Sequence, residues 1–100
     1  MALTIHGEVV TLELCIDTLR WRGLPQYMAE GLYYYLAHHI RPGSFLESIL
    51  SNNLIAAAAT ADKCNSRLLF EWTQLMYNDL PSDCCGSREN VTAWLSKREI

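Results

Sequence analysis

The residues with the most reactive chemistry in this sequence are Cys15, Cys64, Cys84 and Cys85, with His6, His38 and His39. The cysteines have no CxxC spacing, and the histidines do not complete a zinc pattern. Adjacent residues of a helix or strand point in different directions, so Cys84-Cys85 reads as a poor chelating pair. Nucleophilic catalysis needs a thiol or hydroxyl close to a histidine, with an acid to orient it. Cys64 or Cys84 can be drawn beside His38 or His39, but no local signature joins them. The cysteines read as small core hydrophobes. The two adjacent histidines read as groups at a helix end, where the dipole favours them. No catalytic residue, metal ligand or cofactor is assigned.

The run Tyr33-Tyr34-Tyr35 is more informative. On a helix these residues stand about 100° apart. Tyr35 belongs to an apolar stripe with Leu24, Tyr27, Met28, Gly31, Leu32, Leu36 and His39/Ile40. Tyr34 falls opposite, with Glu30, Ala37, His38 and Arg41, while Tyr33 flanks the stripe near Gln26 and Ala37. Exposed tyrosine beside arginine is a composition that interfaces favour. The competing reading is that the first 20 residues cover these rings, and the sequence leaves both open.

The elements that must position these residues come from one domain's worth of chain, spanning 1–100. Half the residues are apolar and 19% are charged, which argues against disorder. The net charge of −3 provides no basic field for phosphates. The longest uncharged run, residues 48–61, is too short and polar to span a bilayer. No signal peptide is read at the N-terminus, so the expected compartment is the cytoplasm and the cysteines are expected as thiols.

Residues 24–54 form the expected nucleus: a helix from about 25 to 40 with Pro25 in its first turn, a stop at Arg41-Pro42-Gly43, and a helix over 44–51 capped by Ser44. Asn52-Asn53 reads as a break before an alanine-rich helix over 54–62. Asn65 or Ser66 is expected to cap a long helix reaching Asp79, with the stripe Leu68, Leu69, Trp72, Leu75 and Met76. Phe70 and Tyr77 on another face predict that this helix is covered on two sides. Ser87 caps a last helix carrying Val91, Trp94 and Leu95. Residues 1–22 read as an N-terminal extension or ribbon ahead of a helical core over 24–97. Residues 3–5 favour a strand; the alternation over Val10–Ile16 leaves 9–20 open, leaning to helix at its far end. The predicted fold is mainly α, a compact bundle of about five helices, with a short N-terminal β-ribbon left open.

Arg41-Pro42-Gly43-Ser44-Phe45-Leu46 and Ile49-Leu50-Ser51-Asn52-Asn53-Leu54 resemble a pattern in small phage- and prophage-encoded proteins. So do Ala61-Asp62 with Asn65, Tyr77-Asn78-Asp79-Leu80-Pro81, and Gly86-Ser87 with Val91, Ala93 and Trp94, over roughly residues 24–96. Where those proteins tend to have Trp-Gly-Ser-Pro, this chain has Cys85-Gly86-Ser87-Arg88. Within that class the chain resembles type I-F anti-CRISPR proteins. The resemblance implies binding to protein subunits of a host CRISPR RNA-guided surveillance complex, sterically blocking target DNA, with no catalysis and no direct nucleic-acid contact. Exposure and chemistry alone select Glu30, Tyr33, Tyr34, Arg41 and Glu47 as the contacts. The alternative is a helix–turn–helix phage regulator built on residues 45–76, although its recognition helix near 65–78 would offer only Arg67 as a base.

Overall fold

The N-terminal third, where helix and strand periodicities compete, resolves into a ribbon followed by a helix. The computed structural model describes residues 4, 5 and 7–98; Leu3 of the expected strand and His6 lie outside them. Strand β1 (Thr4–Ile5) pairs antiparallel with β2 (Glu8–Val9), Ile5 opposite Glu8. Between them Gly7 stands at φ 83°, a conformation glycine adopts without penalty. The strand does not continue to Ile16. Thr11 instead caps α1 (Leu12–Trp21), accepting from the Leu14 N–H at 3.1 Å. Helical spacing buries Cys15 and Leu19 together, and Ile5 and Val10 join them in the core. The expected extension is therefore part of the core. Helix α1 ends in a Schellman motif, with Gly23 left-handed and the Leu24 N–H donating to Leu19 O at 2.8 Å.

Pro25 does not open the next helix. It is extended (ψ 130°), a 3-10 turn follows at Gln26–Met28, and α2 runs Ala29–His38. The helix also ends earlier than Pro42 would require, because His39 turns left-handed at φ 57°. In α3 (Ser44–Leu50), Gly43 occupies the capping position that Ser44 was expected to fill. Ser44 is the first helical residue, and its carbonyl accepts from Ser48 Oγ. Asn52 and Asn53 then divide the break between them. Asn52, left-handed at φ 60°, closes α3, while Asn53 Oδ1 accepts the Ala56 N–H to start α4 (Leu54–Thr60). Within the alanine run only Ala57 is buried, so the run provides helix propensity more than close packing.

The expected long helix is two. Asp62, not Asn65 or Ser66, caps α5 (Lys63–Ser66), and α6 begins again at Leu69–Asn78. Asn65 is buried, and its Oδ1 accepts from the fully buried Trp72 indole N–H at 2.8 Å. A buried amide and a buried indole each need a partner, and the break after Ser66 lets them meet. Trp72 packs edge-on against Phe45 of α3. A 3-10 turn, Ser82–Cys84, leads to α7 (Arg88–Leu95), capped by Ser87 as expected and burying Val91 and Trp94. Arg22, just after α1, makes a bidentate pair with buried Asp79 at the end of α6, at 2.7 and 3.1 Å. The fold is mainly helical, with seven short α-helices among the described residues.

Asp62 also accepts a hydrogen bond from the Tyr27 hydroxyl, tying the turn before α2 to the start of α5. The Asn65 N–H and then the Tyr27 hydroxyl hold the Asp62 carboxyl below its ordinary value of 3.8. Reciprocally, that carboxylate pushes the Tyr27 phenol up to about 12. A carboxyl whose pKa is depressed on folding stabilises the native state above its unfolded pKa and loses that effect as pH falls through its folded one. Asp62→Asn should therefore be less stable than the native chain near neutral pH, with the gap closing as pH falls below about 4. Urea unfolding midpoints measured from pH 7 to pH 2 check this.

Candidate protein-binding surface

Three consecutive tyrosines of α2 meet three environments. Tyr35 is fully buried, and its hydroxyl donates to Cys84 O at 2.7 Å. Burial, reinforced by the neighbouring thiols Cys84 and Cys85, pushes that phenol above its ordinary range. Tyr33 is half-buried, and Tyr34 remains 45% exposed. Helix α1 packs against α2 but does not enclose Tyr34.

The outer rings do not stand singly. The Tyr33 and Tyr34 centroids lie 5.3 Å apart, and the His38 ring sits 5.3 Å from the first, edge-on, and 5.8 Å from the second. His38 Nε2 is 3.2 Å from the Tyr33 hydroxyl, a hydrogen bond that holds the cluster. Glu30 is exposed one turn earlier, four residues before Tyr34 and on the same face. Beside Tyr34 runs an open groove of about 570 Å³, lined also by Ala37, His38, His39, Lys97 and Arg98. Lys97 Nζ lies 4.5 Å over the Trp94 ring, so the groove has a basic edge on an acidic protein.

Arg41 and Glu47 lie elsewhere and satisfy each other. Arg41 Nη1 donates to both Glu47 carboxylate oxygens at 2.7 Å. They line a separate polar groove with Ser44, Ser48, Asn53 and Arg88. An exposed pair of this kind contributes about 0–1 kcal/mol to stability, and its charges are already matched within the chain. Of the five sequence-selected residues, the structure brings Tyr33 and Tyr34 together, sets Glu30 on their face, and pairs Arg41 with Glu47 in another place.

Sequence reasoning misplaced the outer face of α6. Phe70 is 70% exposed and Tyr77 87% exposed, so this helix is covered on one side only. The signal was present: the residues that would link Phe70 to Tyr77 on one stripe are Thr73 and Gln74, both polar. Trp21, Leu54 and Ile55 are further exposed apolar residues. For the helix–turn–helix reading, an α6 face of Phe70, Thr73 and Tyr77 offers no cation to a phosphate backbone. Among the described residues no three His, Cys, Asp or Glu side chains converge as a metal site, and no helix is long and apolar enough to cross a membrane. The chain matches no protein-family model, no curated protein and no solved structure.

The contrast between neighbouring tyrosines can be measured. Tyr35→Phe leaves Cys84 O without its buried donor and should lower stability by about 1–2 kcal/mol. For a domain of this size that corresponds to a melting temperature lower by roughly 4–8 °C per kcal/mol. Tyr34→Phe should leave it unchanged. Thermal unfolding of the two variants beside the native chain gives the comparison.

Proposed function

We propose that this protein is a non-catalytic binding module that acts by covering a surface of a larger protein assembly. The observation that carries the reading is the outer face of α2. There the Tyr33–Tyr34–His38 ring cluster meets solvent while the adjacent Tyr35 is bonded into the core. Tyrosine suits such a role because it offers a large amphipathic contact area with few rotatable bonds. The partner assembly, following the sequence resemblance, is a host type I-F CRISPR RNA-guided surveillance complex. The inhibitor sits on its protein subunits in the bacterial cytoplasm and blocks target DNA by occlusion. Glu30 and the Lys97–Arg98 edge of the groove supply charged rim contacts, which act on association rate and orientation. Arg41 and Glu47, already paired, contribute shape more than charge.

Co-expression with a type I-F complex, followed by affinity pull-down and a target-DNA gel shift, tests this reading. The chain should co-purify with the complex and abolish its DNA shift. Tyr34→Ala should weaken retention about tenfold or more, the scale of a buried interface tyrosine, with little change in melting temperature. Absence of co-purification together with an unimpaired DNA shift would sink the proposal. Direct binding of this chain to duplex DNA at physiological salt would point instead to a phage regulator.

A further inference from the structure

Cys84 and Cys85 are adjacent, buried and both free thiols. In a helix or a strand their side chains would diverge. They occupy neither: Cys84 ends the 3-10 turn, and Cys85 is extended at φ −157° and ψ 178°. That change of backbone conformation turns both sulfurs onto one acceptor. Cys84 Sγ lies 3.1 Å and Cys85 Sγ 3.7 Å from Pro81 O. The pair thus lies outside the helix or strand for which divergence was expected.

The two thiols are unequal in access and in acidity. Cys85 lines an open groove of about 570 Å³ together with Asn52, Thr73, Tyr77 and Asn90, whereas Cys84 is fully buried. Contact with the Cys84 side chain holds the Cys85 thiol below its ordinary range, and the same contact, with burial, pushes Cys84 far above. The reachable sulfur is thus the more acidic of the two, and a second thiol stands beside it. Cys15 offers neither property: it is fully buried in α1, and burial pushes it up to about 11.

We propose that Cys84–Cys85 is a redox modification site, oxidised by hydrogen peroxide at Cys85 and closed by Cys84 as a vicinal disulfide. In the first step the Cys85 thiolate sulfur attacks one peroxide oxygen. The O–O bond breaks, and the departing hydroxide takes a proton to become water, leaving Cys85 as a sulfenic acid. In the second, the Cys84 sulfur displaces that hydroxyl from Cys85. The S–S bond forms, and the hydroxyl leaves as water with the Cys84 proton. Two thiols give two electrons to one peroxide, and two waters result. Adjacent Cα atoms are about 3.8 Å apart, closer than the roughly 4.4–6.8 Å of ordinary disulfides, so the ring is strained and easily reopened by a thiol. The peptide inside that ring contains Cys84 O, the acceptor of the Tyr35 hydroxyl, and the next carbonyl, Cys85 O, accepts from Asn90 Nδ2 at 2.9 Å. Ring closure therefore loosens the attachment of α2 and α7 to this loop.

The test uses the full-length Cys64→Ser chain, which removes the exposed thiol. Folded protein is treated with hydrogen peroxide, then denatured, alkylated with iodoacetamide and mapped by mass spectrometry. The peptide holding Cys84 and Cys85 should be lighter by two hydrogens and unlabelled, with Cys15 fully labelled. Dithiothreitol should restore both thiols, and the oxidised form should melt at a lower temperature. Cys84→Ser should leave a dimedone-reactive sulfenic acid at Cys85, and Cys85→Ser should leave Cys84 reduced. Full labelling of both cysteines after peroxide would overturn the proposal, as would equal oxidation of Cys84 without Cys85, or a disulfide formed between chains. Should a serine variant fail to fold, the thiol map of the Cys64→Ser chain decides alone.

Discussion

The packing depends most on the reciprocal bond between Tyr35 and the last third of the chain. The Tyr35 hydroxyl donates to Cys84 O, and its own backbone carbonyl accepts from the Trp94 indole N–H at 2.9 Å. The two rings lie 6.5 Å apart, tilted by 42°. Helices of four to ten residues are too short to persist by propensity alone, so tertiary contacts must hold them. Buried phenol and indole donors each need an acceptor, and the arrangement of α2, the Ser82–Cys84 turn and α7 satisfies both through Tyr35.

That constraint also decides what faces outward. Fixing Tyr35 fixes the rotation of α2 about its axis, and neighbours on a helix follow at about 100° each. Tyr34 is consequently turned away from the core, and Tyr33 is left on its margin. The same lock governs the end of the helix. His39 adopts a left-handed conformation, uncommon for residues other than glycine, and its ring rests 4.7 Å from the Trp94 ring. The outer surface of α2 is thus a consequence of a core bond, and changes to the core would be felt there.

Sequence alone made legible much of what depended on local chemistry. The helices over residues 29–38, 44–50 and 88–95, the Asn52–Asn53 break and the Ser87 cap follow from apolar spacing and capping groups within a few residues. Other features turned on distant partners. Asn65 looks like a cap because asparagine often is one, yet its role is set by Trp72, a turn and a break later. The alternation over Val10–Ile16 is a sound strand pattern, but helical spacing buries Cys15 and Leu19 together, and that burial prevails. For the candidate surface, the tyrosine run was legible because one helix carries it. Arg41 and Glu47 read as available charges because nothing in their types shows that the turn at Pro42 brings them into contact.

Exposed apolar residues are common on soluble proteins, and single ones carry little meaning. Trp21, Ile55, Phe70 and Tyr77 are all more exposed than Tyr34, so exposure by itself does not favour the α2 face. Order does. Tyr33, Tyr34 and His38 hold one another through three ring contacts and a hydrogen bond. Rings already fixed in the free protein lose less rotamer freedom on association, which is worth roughly 0.5–1.5 kcal/mol for each side chain so held. Because Tyr35 anchors that helix to Cys84 O, the order of the outer rings depends on the integrity of the loop beneath them. A surface preorganised from below in this way can be strong with few contacts, and it is also open to control from the loop that supports it.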